Sequence, residues 1–223
     1  MKEERFYNFP VQLMQAAPDI RKFCDDVLDY CIYKQSLTLS GDHAIRDVAN
    51  YLKDRRNKKE YITEQRGREL YNQMPENAAV TGINNDLIWD FYNIYKTDHE
   101  VAVLMAFLAL KSILGKKSYC RVTNEYLLLR MAGYNAKHDM PELPAWLQRY
   151  TSRRGMDSLK TDLQRNYGLK LYARYTRGFF VSFTLSLEEL IKEVEMKRKK
   201  YYESNMKTQV STAVSKVLKT LYR

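Results

Sequence analysis

This sequence predicts a mainly α-helical fold carrying one small β-hairpin, and three observations point there. Only 8 Gly and 5 Pro occur in 223 residues, too few for the many turns of an all-β chain. Apolar residues recur at steps of three and four along most of the chain, and a hydrophobic content of 45% is enough for a sizeable core in one or two domains. Against that background, two short runs of alternating residues fold about Arg177-Gly178 between residues 170 and 185.

Pro10 and Pro18 read as first-turn helix prolines, which predicts a short helical piece over 11–16 and a full helix over 19–34. Ser40-Gly41-Asp42 then opens a helix bearing Ile45, Val48, Ala49 and Leu52 on one side. Its far end, residues 53–59, is a basic cluster that reads as a solvated helix terminus, where cations complement the helix dipole. Thr63 is expected to cap a helix reaching Met74, residues 75–83 to form a loop, and Asp86 to cap a helix over 87–95. Ile88, Trp89, Phe91, Tyr92 and Tyr95 would require that last helix to bury most of its girth. Asp98 offers a cap for the very apolar helix over 101–114.

Residues 119–122 then read as a short strand, and Thr123 can cap a helix over 124–131 with Leu127, Leu128 and Met131 inward. Residues 135–151, with Pro141, Pro144 and Ala145-Trp146-Leu147, leave room for an extra turn of helix. Beyond Ser152, the apolar Met156, Leu159 and Leu163 lie at helical spacing. That turns Arg153, Arg154, Ser158, Thr161 and Arg165 outward. Gly168 can end the helix in the left-handed conformation and deliver the chain into the hairpin that carries Lys170, Arg174 and Arg177.

In this order of elements, residues 100–185 resemble the winged helix-turn-helix superfamily at large. The segment departs from the usual pattern at 135–151, where a tight turn would stand between the second and third helices. The resemblance implies a winged-helix core in which the helix after Ser152 enters a DNA major groove and the hairpin is a wing. Arg153 and Arg154 would then contact base edges or adjacent phosphates, with Ser158, Thr161 and Arg165 further along the groove. Lys170, Arg174 and Arg177 would serve phosphates or the minor groove, and Lys116, Lys117 and Arg121 would lie at the start of the motif.

Charge is distributed in keeping with this. Residues 1–98 hold 14 Lys+Arg against 16 Asp+Glu, net −2, while residues 99–223 hold 23 against 11, net +12, together the whole-chain +10. A basic excess confined to the half with the outward-basic helix is the footprint expected of phosphate binding. Catalytic patterns are missing: His43, His99 and His138 show no metal-ligand spacing, and there is no GxxxxGK[ST] or GxGxxG loop. Neither the arginine-histidine set of a tyrosine recombinase nor the paired histidines of a nickase is present. No catalytic residue, metal or cofactor is therefore expected. The 18 tyrosines suit amphipathic core edges, with stacking on bases as the sharper alternative.

Cys24, Cys31 and Cys120 form no CxxC pair, the first residues show no signal-peptide pattern, and 101–114 is too short to span a bilayer. A reduced, cytoplasmic protein without membrane attachment is expected. No linker separates the halves, so the expected organisation is a helical N-terminal region at 1–97 packed on a winged-helix domain at 98–185, followed by C-terminal helices at 186–223. Ser186 caps the first of these, and Ser204-Asn205 is expected to break it before a stripe of Met206, Val210, Ala213, Val214, Val217 and Leu221. That stripe must dock back on the N-terminal helices or pair with a second copy. A homodimer through residues 206–222 is favoured. The function expected is that of a non-catalytic duplex-DNA-binding protein, either a transcriptional regulator or a replication-initiator-like protein of a mobile element. The alternative is a protein-docking adaptor that does not bind DNA.

Overall fold

The first element is a strand that local sequence signals did not reveal. In the computed structural model, which describes residues 5–39, 41, 43–136, 142–173 and 178–221, with side chains as far as residue 215 except that of 213, Phe6–Pro10 forms β1. It pairs antiparallel with β2, Val80–Asn84, from Phe6 opposite Asn84 to Pro10 opposite Val80. Pro10 closes the strand and at the same time caps the short helical piece expected over 11–16, one position before its first turn. Having no N–H to give a ladder, it is tolerated at the strand's end. The residues expected to form a loop over 75–83 supply the second strand. Tyr7 and Phe9 alternate into the core, and the Tyr7 hydroxyl donates to the Leu52 carbonyl at 2.8 Å.

A 3-10 turn, Val11–Ala16, leads into α1, Ile20–Ser36, whose N-cap is Asp19 accepting from the Lys22 amide. Pro18 lies before that cap, outside the helix. Next come α2, Ala44–Leu52, and α3, Glu60–Gln73. Thr63 does not cap α3; it is buried inside its first turn. α4, Asn85–Asn93, is capped by Asn84 and not by Asp86. It stops short of Tyr95, which is 89% exposed.

The segment read as a solvated helix terminus is neither helical nor fully solvated. α2 ends at Leu52, and Lys53 takes the left-handed conformation at φ 56°. The chain then lays Arg56 against α1. Its guanidinium makes a two-point contact with Asp54 and comes within 2.8 Å of Asp25 and 2.9 Å of Asp29, with only 4% of its side chain exposed. Lys58 joins it on Asp29, and a flanking group holds Asp26 between Lys22 and Arg66. Burial raises the Asp29 carboxyl above its ordinary value against the opposing pull of Arg56 and Lys58. Ion pairing with Asp54 and Asp29 outweighs burial at Arg56 and raises its guanidinium further.

α5, Asp98–Leu114, is apolar on nearly all sides and runs through the middle of the molecule. Thr97 caps it and Glu100 reaches back to the Thr97 amide, so Asp98 is the helix's first residue and not its cap. Beyond it come β3, Cys120–Val122, α6, Asn124–Met131 with Thr123 as cap, and the one-turn α7, Ala145–Gln148, with a 3-10 turn at Arg149–Thr151. α8 is Arg153–Tyr167, β4 Lys170–Tyr172 and β5 Phe179–Ser182. The three strands form an antiparallel sheet in the order β3-β5-β4. One buried apolar cluster runs from Tyr7 to Val181 and takes in side chains of both sheets and of α5, α6 and α8.

α9, Leu187–Leu221, is a single helix of 35 residues. At its start the Ser186 amide donates to the Glu189 carboxylate and the Glu189 amide to the Ser186 hydroxyl, and Leu190 and Val194 are buried. Ser204-Asn205 does not break it. Two poor helix formers cost a few tenths of a kcal/mol each, too little to stop a helix with good formers on either side. Met206, Val210 and Val214 are all exposed, so this part of the stripe does not fold back onto the N-terminal helices. No helix among the described residues is long and apolar enough to cross a membrane.

Candidate nucleic-acid interface

α8 buries Met156, Leu159 and Leu163 against the core, each such side chain contributing roughly 1.5–3 kcal/mol. Ser152 accepts from the Gly155 amide at 3.1 Å to start the helix. Gly168 ends it at φ 66°, a conformation that costs glycine little. At about 3.6 residues per turn, Arg154, Ser158, Thr161 and Arg165 fall at i, i+4, i+7 and i+11 and make one stripe opposite the buried one. All four are exposed. Arg153 lies at the edge of this stripe, its side chain 97% exposed and its Nε 3.7 Å from Asp157. Arg165 stands 3.3 Å from Asp162. Exposed pairs of this kind are worth about 0–1 kcal/mol, so both cations remain available to a stronger anion.

Three contacts fix the angle at which α8 presents this stripe. The helix start presses on the preceding 3-10 turn so closely that a Cβ on Gly155 would lie 2.2 Å from the Arg149 carbonyl oxygen. His99 of α5 places Nε2 2.8 Å from an Asp162 carboxylate oxygen and Nδ1 2.9 Å from the Tyr150 hydroxyl. Protonation on Nε2 lets the ring donate to Asp162 while accepting from Tyr150. At the far end the Tyr167 ring stacks on Phe107 of α5 at 4.2 Å and 13°, and burial pushes its phenol up to about 12. The described part of the 135–151 insertion therefore buttresses α8. Tyr150 is only 1% exposed while the His99 and Asp162 side chains keep 26% and 22% exposure, so the group clamps α8 from a half-buried position.

Lys160 belongs to the same framework. Its ammonium donates to Asn124 Oδ1 at 2.9 Å, lies 4.0 Å over the Phe179 ring, and has its pKa lowered by desolvation. Sequence reasoning passed over Asp157, whose side chain is 63% exposed beside the α8 stripe. Its spacing of i+4 from Arg153 was the available signal. The clamp was not legible, because His99 and Asp162 meet only once α5 and α8 pack.

The remaining basic residues are less concentrated. Lys116 and Lys117, in the turn after α5, and Lys170, at the start of β4, are exposed. Arg121 does not join the α8 stripe. It pairs across β3 and β5 with Phe180, on the sheet face opposite Phe179, which carries Lys160 of α8. Arg174 and Arg177 lie outside the described residues. Cys24, Cys31 and Cys120 are free thiols, and burial raises the pKa of each. Among the described residues no three His, Cys, Asp or Glu side chains are grouped to hold a metal ion. No family model, curated protein or solved structure matches the chain.

Proposed function

We propose that this chain is a non-catalytic duplex-DNA-binding protein with a winged helix-turn-helix core, acting as a transcriptional regulator or as a replication-initiator-like protein of a mobile element. The observation that carries the proposal is the Arg154-Ser158-Thr161-Arg165 stripe, wholly exposed on a helix clamped at both ends. Support also comes from the succession α5, β3, α6, α8, β4, β5 with sheet order β3-β5-β4, which is the order expected of a recognition helix followed by a pair of wing strands. A major groove admits a helix, and guanidinium groups on its outer face can take guanine edges bidentately.

The test is fluorescence anisotropy of the full chain with random-sequence duplex at low and moderate salt. Affinity should fall steeply as salt rises, because each neutralised phosphate releases counterions. A salt-independent or undetectable interaction would leave the alternative, a protein-docking adaptor. The exposed Met206, Val210 and Val214 on α9 favour that second reading. They also support a homodimer formed through residues 206–222, since leaving such side chains wet forgoes favourable burial.

A further inference from the structure

The sheet β3-β5-β4 has a second face that the duplex reading does not use. Phe179 and Val181 of β5 point into the core, so Phe180 between them points the other way. The strand register sets Arg121 on one side of Phe180 and Tyr172 on the other. α9 covers the near part of this face with Leu190 and Val194, and a cavity of about 490 Å³ opens beyond them between sheet and helix. Five rings line it: Tyr119, Tyr172 and Phe180 from the sheet side, and Tyr201 and Tyr202 from α9. Among the described residues its cations are Arg121, Lys197 and Arg198.

The one carboxylate among the cavity's described lining residues, Glu195, accepts from the Tyr172 hydroxyl at 2.7 Å and lies 3.7 Å from Arg198. Lys197 sits 4.6 Å over the Tyr119 ring, and Arg198 lies 5.5 Å from the Tyr202 ring. Tyr201 and Tyr202 are 66% and 56% exposed, so these rings do not serve the protein's own core. An acidic peptide would match the cations and leave the rings wet, whereas an apolar peptide would do the reverse. A nucleotide matches both, with a flat base for the rings and a phosphate for the cations. The base must be unpaired, because in a duplex its faces are already stacked.

We propose that this cavity binds an unpaired nucleotide of single-stranded DNA, its base among Tyr172, Phe180 and Tyr202 and its phosphate on Lys197 and Arg121. The site goes beyond the duplex reading and lies on a different face, so each can fail alone.

The experiment titrates the full chain into a labelled oligothymidylate about twelve nucleotides long, a matching abasic oligonucleotide and a random duplex. Wild type should bind the oligothymidylate at least about tenfold more tightly than the abasic strand. Tyr201→Ala with Tyr202→Ala, both at exposed positions, should lower oligothymidylate affinity roughly tenfold or more and leave duplex affinity unchanged. Arg153→Ala with Arg154→Ala should do the converse. Equal binding to the abasic strand, displacement by polyglutamate as effective as by unlabelled oligothymidylate, or indifference to the tyrosine substitutions would overturn the proposal. Single-strand binding without duplex binding would uphold it while removing the duplex reading.

Discussion

Arg56 and Arg154 stand in basic runs that look alike on paper, yet the folded chain uses them in opposite ways. Around Arg56 the carboxylates of Asp25, Asp29 and Asp54 close in, and the charge is consumed inside the N-terminal region. Around Arg154 no buried carboxylate waits among the described residues, because its face of α8 looks away from the core. A count of charges treats the two alike. What separates them is whether a neighbouring element presents acids at the right turn, as α1 does and the elements around α8 do not. The near-neutral balance of residues 1–98 thus includes cations withdrawn from the surface, and the basic excess of the other half includes cations left on it.

The strongest way to break this contrast is to remove Arg56. Arg56→Ala leaves three acids without their shared cation and should cost about 3–5 kcal/mol in urea unfolding. A loss under about 1 kcal/mol would mean the cluster is no more enclosed than the pairs on α8. Asp29→Asn should cost less than Arg56→Ala, because the folded protein already holds that carboxyl's proton more readily than the unfolded chain. The sign is the reverse of an ordinary salt-bridged Asp. Between the ordinary Asp value and the raised one, wild type should lose stability relative to D29N as pH rises.

On the other side of the contrast, Arg154→Ala should weaken binding to a preferred duplex by about 1–3 kcal/mol without moving the melting temperature. Arg153→Ala should matter less, since its side chain lies at the edge of the stripe beside Asp157. A shift in melting temperature from either would place these cations in the framework with Arg56. The smallest effect concerns α9, where residues 196–223 carry eight Lys and Arg against one Glu. If two copies meet there, salt should tighten the dimer by up to about 1 kcal/mol while weakening DNA binding. Sedimentation of the full chain and of one ending at Ser204 would show this. A full chain that runs as a monomer at micromolar concentration rules the homodimer out.

Elements with local signals were legible. Thr123 heads α6 and Gly168 ends α8, because a cap or a left-handed glycine acts within a few residues of itself. β1 and β2 were not legible, since each is five residues long and its meaning depends on a partner far along the chain. Phe6-Tyr7-Asn8-Phe9 does alternate, but the run is short, and Pro10 serves as a strand end and as the cap of the following 3-10 turn alike. The run at 53–59 misled for the same reason: its partners Asp25 and Asp29 sit a full helix earlier. At the candidate interface the stripe on α8 was legible from its periodicity. The clamp of His99 on Tyr150 and Asp162, and the pocket behind Phe180, were not, because each joins elements that only packing brings together.

α9 adds a question of phase. A helix of 35 residues is about 50 Å long, close to fifteen base-pair steps of duplex, and only its first turns are held by the sheet. Whatever grips its far portion is coupled to α8 through a rod whose length and rotation are set by residue count alone. Adding seven residues, close to two full turns, would lengthen the rod by roughly 10 Å and keep its gripping face nearly in register. Adding two would barely lengthen it and would swing that face to the opposite side.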